Sequence, residues 1–311
     1  MKIRNLYVLL ILLLFVSCVL SLFTGTVKLS NLDGFVFLNI RLPRTLGALF
    51  TGAGLACCGL IFQTIFRNPV SDSYVMGISS AASCAIAFAS AMKISFSGST
   101  SLFAFTGSTI CCVILYLTCK NNPFRMLLCG IAANFLLSAL STLFIYLSKS
   151  NVNSILFWTM GSLDSFNIPR VIILAISDVI LLFTCMKNSN GLDLLLTDDS
   201  TALSSGLDIN RLRMIMILIA CISTSLTVSF CGIIGFVGLM CPHLIRLITG
   251  PKHKHLIVLS MLAGSNLMLF TDIVSRTVIS PAVLPVGIVT SIIGAPVFFV
   301  ISKRNNLWQQ G

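Results

Sequence analysis

Apolar residues in this chain neither alternate nor fall on a single helical stripe; they run together in long blocks separated by short polar breaks. A helix crossing a hydrocarbon layer needs about 20 predominantly apolar residues, so each block predicts one helix in lipid. The blocks cover 5 to 23, 45 to 66, 74 to 92, 101 to 119, 126 to 147, 169 to 186, 212 to 230, 238 to 249, 256 to 275 and 286 to 301. The expected fold is all-α, an integral membrane protein of about ten transmembrane helices, with residues 1 to 311 forming one transmembrane domain.

Two connections are longer than the rest. Ser148 to Pro169 contains the semi-apolar run Ile155-Leu156-Phe157-Trp158, which predicts a short re-entrant or interfacial helix with Trp158 at headgroup level. Residues 188 to 213 are polar and predict two short helices broken at Gly206. Between Cys231 and Gly238 stand three glycines, Gly232, Gly235 and Gly238, followed by Pro242. That is poor material for an unbroken span and predicts a turn and a half-helix, a device that lines transport paths. His253 and His255 are read as loop residues, and His243, after Pro242, as a residue that orients the half-helix. The first block has a basic start, and Phe15-Val16-Ser17-Cys18 approximates a lipoprotein cleavage box. Apolar sequence continues past Cys18 to Phe23, so an uncleaved first helix is expected.

Composition narrows the function classes. Only 9% of residues are charged and the mean hydropathy is +1.01, whereas soluble domains carry roughly 25% charge; lipid is the solvent. A net charge of +11 would suggest nucleic acid in a soluble protein. Here the basic residues sit at block ends, where anionic lipid and the positive-inside rule account for them, and no nucleic-acid partner is expected. With the N-terminus inside and one crossing per block, 13 of the 20 Lys and Arg are cytoplasmic and 7 are outside, which favours both termini in the cytoplasm. All nine acidic residues are Asp, so paired-carboxylate catalysis has little material. Twelve Cys lie inside apolar blocks without C-x-x-C or zinc-type spacing and read as small packing residues. No metal site or cofactor is expected.

Polar residues inside blocks are the remaining candidates. Asn134 and Ser138 lie four apart and share a helix face, which suits either a path-lining stripe or hydrogen bonds between helices. Asp178 and Asp272 are ionisable groups in or near spans and are functional candidates by default. Asp272 precedes Arg276 by four residues, which predicts a same-face ion pair.

Several segments together resemble the FecCD-type permeases, the family of iron-siderophore, haem and cobalamin ABC importers. They are Arg41-Leu42-Pro43-Arg44 leading into Gly52-Ala53-Gly54-Leu55-Ala56, Gln63-Thr64 with Arg67-Asn68-Pro69-Val70, and Gly77-Ile78-Ser79-Ser80. Trp158 to Leu163, Gly235-Phe236-Val237-Gly238-Leu239 with Pro242-His243 and Arg246, and Leu284 to Thr290 with Gly294-Ala295-Pro296 follow in the family's order.

The resemblance implies a type II ABC importer permease in a bacterial cytoplasmic membrane, multi-pass. It pairs with a second permease chain, as homodimer or heterodimer, and works with cytoplasmic ABC ATPases, an extracytoplasmic substrate-binding protein and membrane lipid. The cargo implied is an iron chelate, a ferric siderophore or haem, with cobalamin as the alternative. Arg41, Arg44 and Arg276 match positions that receive acidic residues of the binding protein. Asp198, Asp199, Thr201, Ala202 and Gly206 match the coupling segment that docks on the ATPase, although relatives carry a Glu near its start and a Leu where Ser205 stands. Asn134 and Ser138 match the pathway-lining helix, and Gly235, Gly238, Pro242 and His243 a structural motif. The sequence lacks a G-x-x-x-x-G-K-[ST] phosphate loop, consistent with ATP hydrolysis by a partner.

Two other classes are weaker. An ion-coupled secondary transporter needs membrane carboxylates, and only Asp178 and Asp272 are available. A haem-bearing reductase or intramembrane enzyme needs facing histidines, and the first 242 residues contain none.

Overall fold

A computed structural model describes residues 3–25, 34–94, 98–119, 122–148, 152–197 and 203–304. Among the described residues the protein is helical, with no strand. The helices are α1 (Ile3–Phe23), α2 (Gly34–Ile65), α3 (Ile78–Ala91), α4 (Ser99–Cys119), α5 (Pro123–Leu147) and α6 (Val152–Thr159). They continue as α7 (Ile168–Lys187), α8 (Ser189–Leu195), α9 (Ile209–Cys231), α10 (Val237–Thr249), α11 (His253–Thr277) and α12 (Val286–Arg304). Every apolar block of the sequence is a helix. Seven of these helices are long and apolar enough to cross a membrane, and α3, α10 and α12 are shorter apolar helices.

The helix starts follow from side-chain chemistry. Asn122, Asn167 and Asp208 each accept a hydrogen bond from the backbone N–H three residues on, so the first turns of α5, α7 and α9 have a capped donor. Pro follows within two residues in the first two cases, where its missing N–H costs nothing.

α2 is the central post. From Thr51 to Ile65 every residue is buried, and its small residues let neighbouring backbones come close. An atom added as Cβ on Gly52 would stand 2.2 Å from Gly264 O of α11, and one on Gly59 would stand 1.9 Å from Gly238 O of α10. α1 lies against α11 and turns Val8, Leu12 and Phe15 outward. It is tied by Ser21 Oγ to Thr45 Oγ1 at 2.9 Å and by Tyr7 Oη to His255 Nδ1 at 3.3 Å.

Serines join α3 to α5 in a ladder: Ser80 to Ser138 at 3.3 Å, Ser83 to Ser141 at 3.0 Å and Ser90 to Ser148 at 2.9 Å. The constant offset of 58 residues means that the two helices run parallel, so α4 returns between them. The short helix expected around Trp158 is α6; its Ile155 is buried among Ala82, Ile86, Ala104 and Val228.

At 14 and 13 residues, α3 and α10 reach about 21 and 20 Å at 1.5 Å per residue, short of the roughly 30 Å of hydrocarbon. Each is preceded by irregular backbone, residues 66–77 and 232–236. One expectation is corrected: His253 and His255 are not loop residues but belong to the first turn of α11, and His253 is fully buried. The block edge looked polar because a buried histidine relies on partners distant in sequence.

Candidate functional site

Three groups of residues lie along the axis of the bundle. The first gathers Arg41, Arg44 and Arg276 where α1 and α11 end and α2 begins. Arg44 Nε donates to Asp272 Oδ1 at 2.8 Å, and Arg44 Nη1 pairs with Asp164. Arg276 Nη2 stands 2.7 Å from Asp272 Oδ2, the predicted i, i+4 pair. That nitrogen donates to Ser21 Oγ at 2.8 Å, so its contact with Asp272 Oδ2 is an ion pair rather than an aligned hydrogen bond. Arg276 Nη1 donates to Thr24 O and Arg41 Nη1 to Leu22 O, both at 2.9 Å. Cations on the last carbonyls of α1 suit the negative end of its dipole. A π-helical turn at Phe37–Arg41 widens α2 just before these side chains. All three arginines are thus buried and bound to the protein itself, with Arg44 Nη2 left without a hydrogen-bond partner.

The second group is the broken segment between α9 and α10. Gly232 adopts φ +73°, and a Cβ there would stand 2.1 Å from Trp158 O; only glycine permits both the left-handed turn and the contact. Ser162 N donates to Cys231 O at 2.8 Å, so the end of α6 is stitched to this turn. Phe236 is also left-handed, at φ +67°, and α10 starts after it. A cavity of about 680 Å³ opens beside the segment, lined by Asp72, Tyr74, Thr159, Phe236, Leu239 and Ser291 among others. Gly235 faces it with only Ser291 Oγ near, at 4.0 Å from a built Cβ. The lining combines the connection after α2 with the end of α6, which enter from opposite ends of the bundle. Irregular backbone at membrane depth is tolerated where it is buried in protein or lines a water-filled cavity. Gly238 and Pro242 sit in α10 beneath this segment, and the buried His243 ring lies 6.0 Å from the Phe298 ring.

The third group lies at the opposite end of α2 and α11. Asp193 of α8 accepts from His253 N at 2.8 Å and lies 2.6 Å from His253 Nδ1. His253 Nε2 is 2.8 Å from Thr64 Oγ1. Partial burial pushes the Asp193 carboxyl up, but the hydrogen bonds from His253 outweigh it and hold the group below its ordinary range. A depressed carboxyl adds stability above its unfolded pKa of about 3.9 and loses it as pH falls through the folded value. Arg67, at φ +48°, donates to Leu195 O at 2.7 Å and Thr197 O at 2.6 Å, capping the C-terminal carbonyls of α8.

Other predicted residues fall as follows. Asn134 Oδ1 accepts from Ser80 Oγ, and Ser138 bonds the same serine, so hydrogen bonding between α3 and α5 accounts for both. Gly206 forms an exposed left-handed turn at φ +78° before the Asp208 cap. Asp198, Asp199, Thr201 and Ala202 lie outside the described residues. Asp178 is buried against Gly54 with neither carboxyl oxygen hydrogen-bonded.

Sequence reasoning missed Asp164, Asp193 and the cavity-lining Asp72 and Ser291, and gave Gln63 no role beyond its place in a family segment. Only Gln63 carried a signal, an amide inside an apolar block.

A bundle with a broken, glycine-tight segment beside a cavity is matched by known proteins. The solved structure described as an inward-facing conformation of a metal-chelate type ABC transporter superposes with a TM-score of 0.87 at 31% identity, covering 98% of this chain and 100% of that one. The hemin transport system permease protein of Yersinia pestis is 33% identical, over 89% of this chain and 85% of its own length. The Fe(3+) dicitrate transport system permease protein FecD of Escherichia coli K12 is 34% identical, over 87% and 86%. A model of the FecCD transport family matches residues 6–304, and with nearly the whole length accounted for the chain belongs to that family.

Proposed function

We propose that this protein is the membrane permease of an ABC importer and carries an iron chelate, a ferric siderophore or haem, into the cell. The observation that carries the reading is the cavity of about 680 Å³ walled by irregular backbone inside an otherwise helical, lipid-length bundle. Its volume falls within the roughly 300–1,000 Å³ of small-molecule sites. The likeness to a metal-chelate transporter and to hemin and ferric dicitrate permeases supports the cargo class. ATP is hydrolysed by separate subunits, in keeping with the missing phosphate loop.

In this reading both termini and residues 188–213 face the cytoplasm, where Asp198, Asp199, Thr201, Ala202 and Gly206 dock on the ATPase. The arginine group faces outward. A guanidinium can hold a carboxylate with two parallel bonds, which suits these arginines to an acidic residue of a binding protein. Asn134 and Ser138 tie α3 to α5, the pathway-lining helix of this reading, and a second permease chain completes the path.

The test is uptake of labelled ferric siderophore, haem and cobalamin into vesicles holding this chain with its ATPase and binding protein. Uptake of an iron chelate that stops without ATP is expected; uptake indifferent to ATP but driven by an ion gradient contradicts the reading. In the same vesicles Arg41→Gln is expected to raise the binding-protein concentration needed for half-maximal uptake about tenfold, with hydrolysis by the attached ATPase unchanged. An unchanged requirement removes Arg41 from the docking surface.

A further inference from the structure

Pro242 lies inside α10 and has no N–H, so the carbonyl of Gly238, four residues earlier, has no helical donor. Gln63 of α2 supplies one. Its Nε2 donates to Gly238 O at 3.3 Å and to Leu239 O at 3.0 Å. Leu239 and the adjoining Phe236 line the cavity, so the buried end of α2 holds the start of the cavity wall by two hydrogen bonds.

The next residue on α2 points the other way. Thr64 Oγ1 meets His253 Nε2 at 2.8 Å, and His253 Nδ1 meets Asp193 Oδ1 at 2.6 Å. An ionised carboxylate only accepts, so Asp193 fixes the imidazole proton on Nδ1, and Nε2 takes the Thr64 hydroxyl. Thr64 Oγ1 is also 2.8 Å from Leu60 O, and its single hydrogen is shared between the two acceptors. Asp193 belongs to α8, the helix that leads into residues 198–206. Arg67, three residues beyond Thr64, adds its two bonds to the carbonyls at the end of that helix.

These contacts form a continuous line from α8 to the cavity wall. Gln63, Thr64 and His253 are fully buried. Breaking a hydrogen bond there strands polar groups at about 1–3 kcal/mol each, whereas packed apolar helix surfaces slide past one another by small shear motions. A displacement of α8 is therefore passed on rather than absorbed.

We propose that Asp193, His253, Thr64 and Gln63 transmit movement of the ATPase-docked segment to the wall of the translocation cavity. The four are positioning residues and touch neither cargo nor nucleotide. The inference rests on the importer reading above, because it requires an ATPase bound to the segment after α8.

The test uses the reconstituted importer with its ATPase and binding protein, measuring uptake and ATP hydrolysis in the same vesicles. Thr64→Val keeps the side-chain shape and removes the hydroxyl from the line, Asp193→Ala removes the oxygen that accepts from His253 N and Nδ1, and Gln63→Met removes the donor at the cavity wall. Each variant is expected to retain the attached ATPase and its hydrolysis rate, with a melting temperature only a few degrees lower, while cargo carried per ATP falls about tenfold. Asp193→Glu restores the ratio. Asp193→Ala combined with Gln63→Met loses no more than the worse single variant, because both interrupt one line. A ratio of cargo to ATP that stays at the wild-type value in Thr64→Val and Asp193→Ala overturns the proposal. So does a fall in uptake and hydrolysis together with lost complex, which is what a merely structural role produces. Wild-type vesicles without ATP-driven uptake would instead remove the importer reading, so the two failures are distinguishable.

Discussion

Gly52→Ala is expected to destabilise the protein by about 2 kcal/mol although alanine is the better helix former. The gain in helix propensity is at most about 1 kcal/mol. Against it, the new Cβ would stand 2.2 Å from Gly264 O and 2.8 Å from Met268 Cγ. A backbone carbonyl on α11 cannot rotate away as a side chain can, so α2 and α11 must separate, at about 3 kcal/mol for overpacking of this kind. Gly34→Ala is the control: no atom lies within 4 Å of a Cβ built there, and the substitution should be neutral or mildly stabilising. Thermal unfolding of both variants in detergent decides the matter. Equal melting temperatures would mean that the α2–α11 crossing is looser than the structure shows.

The second large effect is at Asp272. Its side chain is fully buried, and it faces Arg44 at 2.8 Å and Arg276 at 2.7 Å. Removing one partner of a buried ion pair costs about 3–5 kcal/mol, because the remaining charge stays buried without compensation. Asp272→Ala leaves Arg276 in that state and Arg44 with Asp164 as its remaining carboxylate, and is expected to fall in this range. Asp164 also pairs with Arg44, yet its side chain is 61% exposed; Asp164→Ala should cost below about 1 kcal/mol. Chemical unfolding of the two variants side by side tests the ranking, and equal losses would contradict the assignment of Asp272 as the centre of the group.

The ten apolar helices were legible in the sequence because lipid imposes a minimum length on a run of apolar residues, and length is read directly. The break before α10 was legible for a related reason: three glycines and a proline cannot sustain a span. Contacts between distant segments were not legible. Pro242 announces that Gly238 O needs a donor, but nothing in the sequence says that Gln63, 175 residues away, provides it. His253 was placed in a loop because Gly250, Pro251 and two lysines surround it; its burial depends on Asp193, 60 residues earlier. The arginines at block ends were visible as positive charge. Which carbonyls of α1 accept from Arg41 and Arg276 was not. Asn134 and Ser138 were correctly seen to share a helix face, but only the parallel run of α3 and α5 identifies Ser80 as the partner of both.

In the importer reading, the cavity beside residues 232–236 is the path of the cargo. The most direct measurement is the labelling of a cysteine placed at Ser291, inside that cavity, by a membrane-impermeant maleimide added to one side or the other of vesicles carrying the full complex. The parent chain, whose twelve cysteines are all buried or half-buried, serves as background. The side from which Ser291→Cys is labelled is expected to switch when ATP and binding protein are supplied. Labelling from the same side in every state, or none above the parent, would contradict it.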